Sequence, residues 1–122
     1  MRWIDYAQWI GAPQSFQEVC PVFCKTFSLR GHVREAFLQV SAKGIYEVFI
    51  NSVPVSKDLF APGWTNYHSR IQFQEYDVTA FLTGSSFHLA LHAGKGWYGG
   101  RLTHHIYQDR CPSVIAALFV RY

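Results

Sequence analysis

Phe87, Leu89 and Leu91 alternate with His88, Ala90 and His92, and this two-residue period constrains the fold more than any other feature of the chain. Successive side chains of a strand point to opposite faces, so an apolar residue at every second position marks a strand with one face on a core. The same period sets Ala36, Leu38 and Val40 against Glu35, Phe37 and Gln39, and sets Ile71 and Phe73 against Arg70, Gln72, Gln74 and Tyr76. Strands are therefore expected over 34–41, with one buried face, over 70–76, and over 87–92. Val22 to Leu29, with Phe23 and Phe27, is a further strand, and so is Val114 to Tyr122, apolar on both faces until Arg121. Ile45 to Ile50 is β-branched and aromatic, stops at Asn51-Ser52 and resumes at Val53-Pro54-Val55. Asparagine tolerates the left-handed backbone of a tight turn, so a hairpin is expected there. Pro54 has no N–H for a ladder, which restricts the second arm to a sheet edge.

No stretch of useful length carries the helical period, and there is no internal repeat. One short helical turn is expected after Asp77, which has the side chain to cap it. Short strands with turn signals between them predict an all-β antiparallel sandwich, one domain over 1–122, with residues 1–21 as an extended lead-in that pins Trp3 and Trp9 onto it. Phe37 or Leu38, Val48 or Ile50, Ile71, Phe73, Leu89, Leu91 and Leu118 are the expected core.

Composition narrows the function. Of 122 residues, 49% are hydrophobic and 16% charged, enough for a packed core and contrary to disorder. The net charge of +3 comes from scattered basic residues, which argues against a nucleic-acid partner. No apolar run approaches the roughly 18 residues of a membrane span, and no basic segment followed by an apolar run opens the chain. Three cysteines make no disulfide framework, and Cys20 and Cys24 have no second pair to complete a zinc site. Free, mostly buried thiols are expected, which favours a reducing, cytoplasmic compartment. The chain ends directly on a strand and is read as part of a longer, multidomain protein. An apolar last strand with an unpaired edge would associate with another copy through strand edges or exposed aromatic loops.

Three segments carry the functional signal: Ala61-Pro62-Gly63-Trp64-Thr65-Asn66-Tyr67, Tyr76-Asp77-Val78-Thr79, and Gly94-Lys95-Gly96-Trp97-Tyr98-Gly99-Gly100. Large aromatics stand among glycines and a proline, in expected loops, where a backbone free of side chains lets a flat ligand approach. Trp64 and Trp97, with Tyr67 and Tyr98, are candidate stacking surfaces for a sugar ring, and Asn66, Gln74, Asp77 and Arg101 are candidate hydrogen-bond partners for its hydroxyls. The structural alternative is that both tryptophans plug loops folded back on the sandwich, and that Asp77 only caps a turn. His88 and His92 share a strand face but stand nearly two pleats apart. His104 and His105 have no companion glutamate motif. Glu35, Glu47, Glu75, Asp58 and Asp109 offer no pair singled out for glycoside hydrolysis, which needs two carboxyls roughly 5 to 9.5 Å apart. No catalytic residue and no metal ligand is assigned, and no pattern supports a calcium site.

The order of motifs resembles one family. Trp9-Ile10-Gly11-Ala12-Pro13, Gly44-Ile45-Tyr46-Glu47-Val48-Phe49-Ile50-Asn51, Ala61 to Tyr67, Tyr76 to Thr79 and Gly96-Trp97-Tyr98 follow one another as in the N-terminal β-sandwich domain of bacterial α-L-rhamnosidases. The resemblance implies a jelly-roll sandwich related to galactose-binding domains, placed ahead of a helical barrel that carries the catalytic carboxylates. It implies a non-catalytic part of a glycoside hydrolase that recognises carbohydrate, such as L-rhamnose-containing glycans, or that supports the catalytic domain by docking on it. A small independent enzyme is the third reading. The chain departs from the family at Ser52, where glycine is usual, at Lys95, where an acid is common, and at Gly99, where arginine is frequent.

Overall fold

The structure, a computed structural model, describes residues 2–12, 19–102, 106–107 and 110–122, with the backbone alone for 101, 102, 106 and 107. Met1, Pro13, His104, His105 and Asp109 lie outside the described residues. The strands are β1 (Ile10–Gly11), β2 (Val22–Ser28), β3 (Glu35–Lys43), β4 (Ile45–Ile50), β5 (Val53–Pro54), β6 (Gln74–Asp77), β7 (Ser86–Gly94), β8 (Arg101–Leu102), β9 (Ile106–Tyr107) and β10 (Ser113–Arg121). They form two four-stranded antiparallel sheets, in the orders β1-β10-β3-β6 and β2-β7-β4-β5, and a small β8-β9 ribbon. The predicted antiparallel sandwich is present, and its two sheets do not close into a barrel.

Alternation builds the core as expected. β3 turns Ala36, Leu38, Val40 and Ala42 inward, against Tyr46, Val48 and Ile50 of β4 and Phe87, Leu91 and Ala93 of β7. Gly44 makes the corner between β3 and β4 at φ +125°, and a Cβ there would fall on the Gly94 carbonyl, so only glycine fits. Asn51 and Ser52 both take left-handed backbone, φ 50° and 66°, and the Asn51 side chain accepts the His88 N–H at 2.8 Å. β5, with Pro54, is the sheet edge.

β3 departs from expectation by being buried on both faces. Gln39 and Ser41, on its outer face, are buried too. The cause is the lead-in, which forms a 3-10 turn over Trp3–Tyr6 where an extended run was expected. Trp3 stacks on Phe119 at 4.3 Å and on Phe37 at 6.3 Å, and the Ile4 N–H donates to Gln39 Oε1 at 3.0 Å. Gln39 in turn donates to Glu75 Oε2 at 2.7 Å, so this buried amide has partners on two sides.

The strand expected over 70–76 is shorter, beginning at Gln74. The Asn66 carbonyl accepts from the Ser69 and Arg70 N–H groups, and the Ser41 hydroxyl donates to the Gln72 carbonyl, so backbone groups of Arg70 and Gln72 bond outside the ladder. Ile71 and Phe73 are accordingly half-buried rather than core. Leu89 and Leu118 are half-buried as well. β1 covers β10 only at Ser113 and Val114, and Leu89 lines the resulting groove of about 400 Å³ with Ile10, Phe23 and Ala116. The expectation of mostly buried thiols also fails. Cys20, just ahead of β2, is exposed and Cys111 is half-buried, while Cys24 is exposed because β2 is an edge strand whose alternation turns Phe23 inward and Cys24 outward.

Two outcomes check this account in denaturant titrations. Leu38→Ala leaves a cavity at a fully buried site and should cost about 2 to 5 kcal/mol. Ser52→Gly relieves a left-handed non-glycine residue in the hairpin and should stabilise the domain by up to about 1 kcal/mol, the strain relieved exceeding the entropy that glycine loses.

Candidate functional site

Two loops named by the sequence meet at one end of the sandwich. After β5 the chain makes an excursion, returning where the Tyr46 N–H donates to the Ala61 carbonyl at 2.8 Å. Ala61 and Pro62 are buried there, and Gly63, at φ +98°, turns the chain outward to Trp64. The second loop forms a single helical turn, Gly96–Gly99. Gly99 is buried with the Arg110 carbonyl where its Cβ would be, which requires glycine. The loops are joined by aromatic pairs. Trp64 lies parallel to Trp97, 6.1 Å between centroids and 5° between planes, and Tyr67 meets Tyr98 edge-on at 5.4 Å. Phe60 adds an edge contact to Trp97 at 5.9 Å, and the Arg110 guanidinium sits 5.4 Å from the Tyr98 ring centre. Trp97 and Tyr98 are half-buried, whereas Trp64 is 62% exposed and Phe60 61%. An apolar face therefore stands open to solvent, with Trp97 beneath it.

Behind this face lies a polar chain that runs from the buried Tyr46 to the exposed Asp58. The Tyr46 hydroxyl donates to Gln74 Oε1 at 2.7 Å and stands 2.9 Å from the Tyr76 hydroxyl, which donates to Asp58 Oδ2 at 3.3 Å. Gln74 Nε2 donates to the Pro62 carbonyl at 3.4 Å, which holds the Pro-Gly-Trp loop from inside. Burial first, and then the Tyr76 hydroxyl and the Asp58 charge, push the Tyr46 phenol well above the usual tyrosine range. Burial likewise raises Tyr67 and Tyr76.

The expected site residues separate in this geometry. Trp64, Tyr67, Trp97 and Tyr98 come together. Asn66 is exposed beside them, and its side-chain oxygen accepts the His68 N–H at 3.2 Å. Gln74 faces inward and is engaged with Tyr46 and Pro62. Asp77 is exposed and binds the Thr79 hydroxyl at 2.6 Å and N–H at 3.0 Å, contacts that lower its pKa in that order. Thr79 also accepts the Ala36 N–H at 2.9 Å, so Asp77 ties the end of β6 to β3. The Arg101 side chain lies outside the described residues. Among the described residues no three His, Cys, Asp or Glu side chains gather as metal ligands, and no helix is long and apolar enough to cross a membrane. His88 and His92 are exposed on β7, occupied with Thr26 and the Phe49 ring. Sequence reasoning missed Leu59 and Phe60, whose signal was two large apolar residues just ahead of Pro62-Gly63. It also missed Tyr46, which the alternation of β4 marks only as core.

The sequence and the fold recur in known proteins. Residues 31–122 match the family described as the α-L-rhamnosidase N-terminal domain. The chain belongs to this family. A curated α-L-rhamnosidase of Streptomyces avermitilis is 36% identical over 126 residues, covering 95% of this chain, and one of Alteromonas sp. is 37% identical over 106 residues, covering 79%. Each match spans 12% of the relative's length. The crystal structure of Streptomyces avermitilis α-L-rhamnosidase complexed with L-rhamnose superposes with a TM-score of 0.77 at 37% identity, over 83% of this chain and 10% of that one. The native enzyme of Aspergillus terreus gives 0.75 at 34%, over 81% and 12%. The chain thus corresponds to a small N-terminal portion of rhamnosidases and not to their catalytic part.

The Tyr46 phenol gives this rhamnosidase domain a pH signature. Its folded pKa lies above the unfolded one, so the unfolded chain ionises first. The stabilisation is complete below about pH 10, the ordinary tyrosine value, and declines as pH rises beyond it. Thermal unfolding should show this alkaline decline in the wild type, and Tyr46→Phe should make it distinctly shallower.

Proposed function

We propose that this domain is a non-catalytic carbohydrate-recognition module of an α-L-rhamnosidase chain, and that the face built on Trp64 makes the contact. The carrying observation is an indole 62% exposed yet fixed in orientation by parallel stacking on Trp97. A prearranged ring loses little freedom on binding, and its π face packs on the C–H face of a sugar. Asn66, on the exposed side of the same loop, is placed to meet hydroxyls. Rhamnose-containing glycans are the ligand class supported by the relative complexed with L-rhamnose. The parent chain would hydrolyse such glycans, with this domain holding substrate near the catalytic part.

A second reading has its own support. Phe60 is exposed and meets Trp97 edge-on next to Trp64, and such a side chain suits a protein surface better than a sugar. On that reading the face docks on the catalytic domain.

Calorimetric titration of the chain with L-rhamnose and rhamnose-bearing oligosaccharides, with and without calcium, separates the two. Trp64→Ala should weaken sugar binding by about tenfold or more and shift stability by no more than about 0.5 kcal/mol. No binding by the wild type, together with weaker association of the Trp64→Ala domain with the catalytic domain, would replace recognition by docking.

A further inference from the structure

A cleft of about 310 Å³ opens between β4 and the 55–61 excursion, separate from the Trp64 face. Phe49, Pro54 and Leu59 form its apolar wall. Its polar side is the outer end of the Tyr46 chain, where the Tyr76 hydroxyl and the Asp58 carboxylate stand. Ser56 Oγ accepts the Asp58 N–H at 2.9 Å, which fixes the turn that presents the carboxylate.

The protons of this chain do not match its contacts. Three close approaches link Tyr46 to Gln74, Tyr46 to Tyr76 and Tyr76 to Asp58. Only the two phenols bring protons to these three, the Ser56 hydroxyl serving a fourth contact of its own with Tyr76. Gln74 cannot supply a third, because its amide nitrogen faces the Pro62 carbonyl, which only accepts, and this fixes its oxygen toward Tyr46. The Val40 carbonyl, 3.5 Å from the Tyr46 hydroxyl, is one more acceptor. The chain is therefore rich in acceptors, and it reaches the cleft at a carboxylate that accepts only. A ligand that donates hydroxyl protons completes it. Glu47 and Asp58 outweigh Lys57 on the lining, which opposes an anion.

We infer that this cleft is a second ligand site, and that it takes one neutral polyhydroxylated ring of monosaccharide size, with hydroxyls on Asp58 and Tyr76 and its C–H face on Phe49, Pro54 and Leu59. The inference does not rest on sugar binding at Trp64, since the cleft is separate from that face and is argued from its own groups.

Backbone amide shifts of the 122-residue chain test it, in titrations with L-rhamnose, D-galactose and myo-inositol, and with D-galacturonate as the anionic ring. At least one neutral ring should move the amides of Asp58, Leu59 and Tyr76, and D-galacturonate should bind more weakly. Asp58→Ala, at an exposed position, should weaken the binding by about tenfold or more. Tyr76→Phe should weaken it too, and Trp64→Ala should leave it unchanged. No shift at these amides with any neutral ring would overturn the inference. So would binding that survives Asp58→Ala, binding that is lost with Trp64→Ala, or D-galacturonate binding as well as the neutral rings.

Discussion

The geometry of this domain's two aromatic loops depends on Tyr46. Its backbone N–H holds the Ala61 carbonyl, and its hydroxyl engages Gln74, which reaches on to the Pro62 carbonyl. One side chain, inward on β4, thus links the hairpin sheet to β6 of the opposite sheet and to the root of the Pro-Gly-Trp loop. A buried polar group is costly unless satisfied, so this arrangement favours one position of the loop over its alternatives. Removing a partner would leave an unpaired acceptor inside the sandwich.

Everything beyond Ala61 builds on that root. Gly63 turns the chain outward, the turn at 66–70 returns it to β6, and the aromatic pairs join it to the helical turn at 96–99. The two loops come from distant parts of the sequence and neither packs deeply in the core. Each is positioned by the other and by a rigid sheet below. This suits recognition, because the contact residues are ordered before any ligand arrives while Trp64 keeps one face in solvent.

Much of this was legible in the residues. The period of two along 36–40 and 87–91 reports which side chains face the core, and Asn51-Ser52 with Pro54 reports the hairpin and its edge arm. The glycines beside Trp64 and Trp97 reported two loops, although nothing local said that they touch. The lead-in was less legible. The amphipathic position of Gln39 reads as solvent-facing until Trp3 and Ile4 cover it, and that contact joins residues 35 positions apart. The strand at 70–76 shortened for a related reason. Its alternation was real, but hydrogen bonds to Asn66 and Ser41 took the backbone groups that a ladder would have used. Cys24 was read by residue type, whereas its place on an edge strand decides its exposure. The pairing of Tyr46 with Gln74 is a tertiary contact between residues of unremarked type, and sequence carries no local mark of it.

The central claim is that the loops rooted at Tyr46 present Trp64 and Trp97 to a carbohydrate. The chain has four tryptophans, each with one indole N–H resonance, at Trp3, Trp9, Trp64 and Trp97. A titration with a rhamnose-bearing oligosaccharide, followed at these four signals, reads the claim directly. The account predicts that the Trp64 and Trp97 indoles shift in a saturable manner while Trp3, stacked on the far sheet, and Trp9 hold still. Four unmoved signals, or shifts confined to Trp3 and Trp9, would contradict it.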